Sequence, residues 1–209
     1  MEIPMKLFYA PGACSMGIHI LLEEIGKPYQ VEHLNTREGQ QHRSEFVAVN
    51  PKGKVPTLIR DDGSVLTEWP AIATYLARTN PEINFLPKEA DAEARVFEAV
   101  DYIVGTIHMQ AFNRLFRPGN FTPNEADYDA VTKTARDIAA KGFLVMDNAL
   151  RGKEYLAGAL SIADLALFYV EYWATAFFEM ALPANCAAHF ARMKARPAVQ
   201  RILKAEGLT

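Results

Sequence analysis

With 209 residues, half of them hydrophobic and 22% charged, the chain has the composition of a folded globular protein, not of a disordered or fibrous one. A formal net charge of −3, with scattered lysines and arginines, offers no basic surface for nucleic acid or an anionic membrane. No run reaches the ~18 apolar residues of a membrane helix. The opening Met1-Glu2-Ile3-Pro4-Met5 lacks a basic head and an apolar h-region, so no secretory leader is expected. Two cysteines, Cys14 and Cys186, suit a reducing cytoplasm in which Cys14 is a free thiol, and no metal site is expected.

Lys6–Ala10 reads as a short buried strand stopped by Pro11-Gly12. Apolar residues at 18, 21, 22 and 25 then mark one face of a helix from Ser15 to Ile25, ended by Gly26. Tyr29–Leu34 alternates as a second strand, a weaker helix covers Arg43–Val49, and Asn50-Pro51-Lys52-Gly53 is a loop. Thr57–Ile59 and Val65–Thr67 flank Asp61-Asp62-Gly63, a strong hairpin signal, before a helix over Pro70–Ala77. This β-α-β order followed by a hairpin and a helix, with a right-handed crossover, predicts a small mixed sheet and a thioredoxin-like domain over residues 1–80. Residues 81–90 read as a linker. Residues 91–209 read as an all-helical domain, with helices at Asp91–Phe116, Glu125–Leu150, Ser161–Met180 and Asn185–Arg196.

Cys14 sits where the first strand hands over to the first helix. Backbone N–H groups and the helix dipole are expected there to favour thiolate over thiol, and the hydroxyl of Ser15 follows at once. Position 17 is Gly, which excludes a dithiol mechanism and leaves a one-thiol mechanism or a packing role. Pro56 suits the first position of a strand, and a cis Val55–Pro56 bond would turn the Val55 backbone outward to pair with an extended peptide. Glu68 can accept a ligand's amino group beside a helix N-terminus that holds its carboxylate, or can be a simple helix-start acid. Asp101, Gly105 and His108 recur on one helix beside an apolar face of Val100, Ile103, Val104, Ile107 and Ala111. That places an imidazole on a groove wall, or a structural histidine. Ser161–Asp164 is a capping box and Cys186 reads as packing, while the aromatic run from Phe168 to Phe178 reads as core or as core with one face lining a pocket.

Lys6-Leu-Phe-Tyr-Ala-Pro-Gly-Ala-Cys14-Ser15, Asn50-Pro-Lys-Gly-Lys-Val55-Pro56, Thr67-Glu68-Trp-Pro-Ala-Ile72 and Ser161-Ile-Ala-Asp164, in that order, resemble the cytosolic glutathione transferases. The Pro-Gly-Ala-Cys-Ser opening and the final Ala205-Glu-Gly-Leu208 resemble the bacterial beta class. The resemblance implies glutathione as co-substrate, with Cys14 at its sulfur and able to form a mixed disulfide. It implies Val55 and Pro56 along the tripeptide backbone and Glu68 with Trp69 at the γ-glutamyl end. It further implies His108 near the thiol, with Ser15, Arg37 and Asp101 as further glutathione-side residues. Trp69 stands where the family commonly carries Ser or Gly. The second substrate would be a small hydrophobic electrophile or a disulfide, and the assembly a homodimer. Two other readings stay open: an enzyme like maleylacetoacetate isomerase, and a non-catalytic binding protein that keeps the fold.

Overall fold

In a computed structural model of the protein, residues 4–208 are described; Met1–Ile3, part of the stretch read for a leader, lie outside the described residues. Strand β1 (Lys6–Tyr9) is followed by helix α1 (Ser15–Ile25), strand β2 (Gln30–His33), a short helix α2 (Ser44–Val49), strands β3 (Thr57–Ile59) and β4 (Val65–Thr67), and helix α3 (Trp69–Thr79). The sheet order is β2-β1-β3-β4, with β1 and β2 parallel and both other pairings antiparallel. Leu7 of β1 and Leu58 of β3 are directly paired, and both are fully buried.

Local chemistry sets the element ends. Gly26 closes α1 with a left-handed residue (φ 72°) whose N–H returns to Leu22 O at 3.2 Å. Gly63 takes φ 79° in the β3–β4 turn, a conformation that disfavours a side chain. The second strand forms where the alternation placed it. At the sheet edge, β2 is exposed along its whole length.

The second part is helical: α4 (Ala90–Tyr102), α5 (Asn113–Phe116), α6 (Tyr128–Ala149), α7 (Ile162–Phe178), α8 (Ala184–Lys194) and α9 (Pro197–Ala205). The capping box of α7 forms as read: Ser161 Oγ accepts from Ala163 N–H, and Asp164 Oδ2 accepts the Ser161 N–H at 2.8 Å. Between α4 and α5 the helix widens into a π-helical stretch, Ile103–Phe112. Ile103, Ile107 and Ala111 are all fully buried there, at a four-residue spacing that a wider turn keeps on one face.

Opposite this stretch stands Gly142 of α6. A Cβ added to it would lie 2.6 Å from Ile107 Cγ1 and 3.0 Å from Cδ1. A β-branched isoleucine has little rotamer freedom with which to retreat. Gly142→Ala is therefore expected to lower stability, because overpacking of about 1–3 kcal/mol exceeds the ~0.5–1 kcal/mol gained in helix propensity. Urea unfolding of the variant, with an unchanged denaturant slope, measures this.

The chain divides into two compact units, Met1–Leu86 together with Lys194–Thr209, and Pro87–Met193. This revises the sequence reading, which gave all of 91–209 to the helical domain. Helix α9 is strongly amphipathic, and its buried Val199, Ile202 and Leu203 belong with the sheet-containing unit, where α9 packs on α1.

Candidate functional site

Within the first unit the Cys14 turn is fixed from three directions. Ser15 is fully buried; its hydroxyl accepts Ala10 N–H at 3.2 Å and donates to Ala10 O at 3.3 Å, tying the start of α1 to the end of β1. Ser15 thus holds the turn and does not face a ligand, contrary to the expectation from sequence. Gly12, at φ 69°, donates its N–H to Glu206 Oε2 at 2.9 Å, and the other oxygen of Glu206 lies 2.8 Å from His19 Nδ1. A carboxylate from the far end of the chain therefore clamps the residues before Cys14 to the inner face of α1. Glu206→Ala would leave buried groups on Gly12 and His19 without this partner, an expected loss of about 1–3 kcal/mol read by thermal or urea unfolding. The third direction is Trp69, whose ring is buried and whose Nε1–H donates to Cys14 O at 3.0 Å. The indole braces the helix that carries the thiol.

Cys14 Sγ donates to Val55 O at 3.6 Å, across from the cis Val55–Pro56 bond. Protein surrounds the sulfur closely, although the residue keeps some accessible surface. Burial pushes its pKa up to about 12, against the pull of the backbone N–H groups of Cys14 and Ser15 and of nearby Lys54. This corrects the expectation of a ready-made thiolate. The helix-start amides act in the predicted direction, but desolvation outweighs them. In the free chain Cys14 is a thiol and a hydrogen-bond donor.

Glu68 occupies the residue before α3 with φ 71° and ψ 126°, a strained conformation for a residue bearing Cβ. Its carboxylate is exposed, and Lys52 Nζ donates to Glu68 Oε1 at 2.7 Å and to Thr67 Oγ1 at 2.8 Å. Buried Asn50 shapes this loop: its Oδ1 accepts Lys52 N–H at 3.1 Å, while its Nδ2 donates to Lys54 O and Thr57 Oγ1. Arg37 sits exposed in a 3₁₀ turn capped by Asn35, whose side chain accepts the Arg37 and Glu38 N–H groups. The first unit thus gathers Cys14, Val55, Pro56, Glu68 and Trp69 through direct contacts and sequence adjacency.

In the second unit, Asp101 is exposed near the end of α4 and His108 is half-buried in the π stretch. His108 Nδ1 lies 3.2 Å from the Tyr169 hydroxyl, and its ring meets Trp173 edge-on at 4.8 Å. Among the described residues no group of His, Cys, Asp or Glu side chains could hold a metal ion, and no helix is long and apolar enough to cross a membrane.

Sequence reasoning did not single out Lys52, His19, Glu206 or Gly142. The contact between His19 and Glu206 spans 187 positions, and nothing in local periodicity signals a pairing of that range. Lys52 lay in view within the Asn50–Gly53 loop, but only the fold brings its ammonium onto Glu68.

A mixed four-stranded sheet, with a helix-start cysteine facing a cis-proline, defines the first unit as a thioredoxin-like domain. Residues 12–79 match the family model described as the glutathione S-transferase N-terminal domain. Over 208 residues the chain is 38% identical to glutathione S-transferase GstA of Escherichia coli O157:H7, covering 98% of this chain and 100% of that protein. It superposes on the bacterial beta-class glutathione S-transferase of Sphingomonas chungbukensis with a TM-score of 0.78 at 31% identity, covering 98% of this chain and 100% of that one. A Sulfitobacter glutathione transferase homologue solved with bound glutathione gives a TM-score of 0.87 at 26% identity, covering 99% of this chain and all of its own. The chain belongs to the glutathione S-transferase family.

Proposed function

We propose that the protein is a glutathione transferase in which Val55 and Glu68 seat the tripeptide and Cys14 serves its sulfur. The observation that carries this is the Cys14 Sγ contact with the Val55 carbonyl, 3.6 Å away. An extended peptide pairing with Val55 would direct its own N–H to that same carbonyl. Docking then releases the Cys14 S–H, which turns its donor toward the ligand's sulfur. A charge-assisted hydrogen bond of this kind is worth about 1.5–3 kcal/mol, enough to lower a thiol pKa by roughly one to two units. The bound thiolate attacks a small hydrophobic electrophile. With a glutathione-containing disulfide as second substrate, the Cys14 sulfur gives up its proton, displaces the other half as a thiolate and holds glutathione as a mixed disulfide, which a second glutathione thiol then cleaves to glutathione disulfide and free Cys14.

Trp69 does not argue against binding. Its ring lies beneath the site against Cys14, so the start of α3 keeps its approach to a γ-glutamyl end. His108 is assigned a catalytic role, and Asp101 and Arg37 roles toward glutathione, to be weighed by kinetics of their alanine variants. The active species is a cytoplasmic homodimer, which light scattering of the purified protein tests. Titration with glutathione followed by thermal shift and by mass spectrometry of the Cys14 peptide tests the central reading. Indifference to millimolar glutathione in both measurements would refute it.

A further inference from the structure

Lys52 is the least expected member of the first-unit cluster, because its ammonium is already engaged. Two of its three donors go to Thr67 Oγ1 at 2.8 Å and Glu68 Oε1 at 2.7 Å. Its backbone is tethered to buried Asn50, and the adjoining Gly53 takes φ 61° with a would-be Cβ only 3.1 Å from Gln41 O. The loop is thus held tightly beneath an exposed cation. Glu68 is held from the other side, in a conformation that costs about 1–3 kcal/mol for a residue with Cβ. Its carbonyl accepts Ile72 N–H at 3.0 Å, locking it to the first turn of α3. Two strained or tethered backbones therefore present one ammonium and one carboxylate side by side at the surface.

Resting on the reading that glutathione binds here, we infer that Lys52 is a specificity-determining residue that reads the α-carboxylate of the ligand's γ-glutamyl end while Glu68 reads its ammonium. The ion pair need not break. Lys52 keeps a third N–H, and a carboxylate accepts through about four lone-pair directions. A free amino-acid terminus thus closes an alternating ring of charges, Lys52 to Glu68 to ligand ammonium to ligand carboxylate. The pair selects for an unmodified zwitterionic terminus and against one amidated or acylated. Both side chains are more than half exposed, at 51% and 61%, which limits the effect.

The test is calorimetric titration of the full chain with glutathione and with glutathione whose γ-glutamyl α-carboxylate is converted to the amide. Wild-type protein is expected to bind the amide about three- to five-fold more weakly, the size of one exposed ion pair. Lys52→Met is expected to bind glutathione weaker by the same factor and to lose the discrimination between the two ligands. Lys52→Arg is expected to restore it, and added salt to erode it. The inference is overturned if Lys52→Met still discriminates as the wild type does, or if it binds glutathione more tightly, which would make Lys52 a competitor. Failure of the wild type to bind glutathione at all would instead remove the underlying reading, and this inference with it.

Discussion

Cys14→Ala is expected to abolish the glutathione mixed disulfide and reduce glutathione-dependent disulfide reduction to background, while the fold survives. Among the described residues the Cys14 sulfur makes one weak S–H···O contact, to Val55 O at 3.6 Å, so the stability change should stay within about 1 kcal/mol. Wild-type rates of model-disulfide reduction by the alanine variant would remove Cys14 from the mechanism. A second measurement follows from the raised pKa of about 12. Without glutathione, alkylation of Cys14 by iodoacetamide should be slow at neutral pH and climb about tenfold per pH unit, because only the thiolate reacts. A rate that levels off below pH 9 would mean that the helix-start amides, not desolvation, dominate.

The second large effect lies in the helical unit. His189 Nδ1 is 2.8 Å from Glu171 Oε2, and its Nε2 is 3.3 Å from Asp164 Oδ1, with all three side chains fully buried. Asp164 is well served, accepting Leu156 N–H, Ser161 N–H and the Ser161 hydroxyl. Glu171 is not: its Oε1 has no partner among the described residues, and His189 Nε2 approaches Asp164 too far off line for a hydrogen bond. Burial raises the Glu171 pKa to about 7, opposed by His189. Burial also draws the imidazole down, but Glu171 and Asp164 together outweigh it and lift His189 to about 9. The other groups nearby are the Tyr155 ring, edge-on at 6.4 Å, and the Cys186 thiol, which feels both Glu171 and Asp147.

Removing one partner strands a buried charge, so His189→Ala should cost about 3–5 kcal/mol, whereas the double change Glu171→Leu with His189→Phe should be neutral or stabilising by up to about 4 kcal/mol. Asp164 keeps its three donors in both variants. The native state holds the His189 proton more tightly than the unfolded chain, so its contribution is complete below about pH 6.5 and disappears as pH rises through about 9. Raised Glu171 acts in the same sense at lower pH, because its ionisation is disfavoured only in the folded state. Wild-type melting temperature should therefore fall between pH 6.5 and 9, and the double variant should show a flatter profile. A wild-type profile that rises across that window contradicts the arrangement.

The thioredoxin-like architecture was legible because each of its signals is local. The Pro11-Gly12 stop, the single helical face of α1 and the Asp61-Asp62-Gly63 turn each act within a few residues, and right-handed crossover then leaves little topological choice. The capping box at Ser161 was legible for the same reason. Cys14, Val55 and Glu68 stood out because turn and strand-start chemistry marks their positions without reference to the rest of the chain.

What the tertiary structure alone decided concerns burial and contacts distant in sequence. The amides at the start of α1 pull the Cys14 pKa down, as its position in the sequence led one to expect; packing around the sulfur outweighs them, since desolvation depends on every neighbour and not on adjacent residues. Ser15 could be read as a ligand contact until its hydroxyl was seen to be spent on Ala10. Helix α9 followed the helical domain in chain order, yet its apolar face lies against α1, bringing Glu206 to His19 and Gly12 across most of the chain. Pairings of that range leave no trace in periodicity, because periodicity records which face of an element is buried and not what buries it.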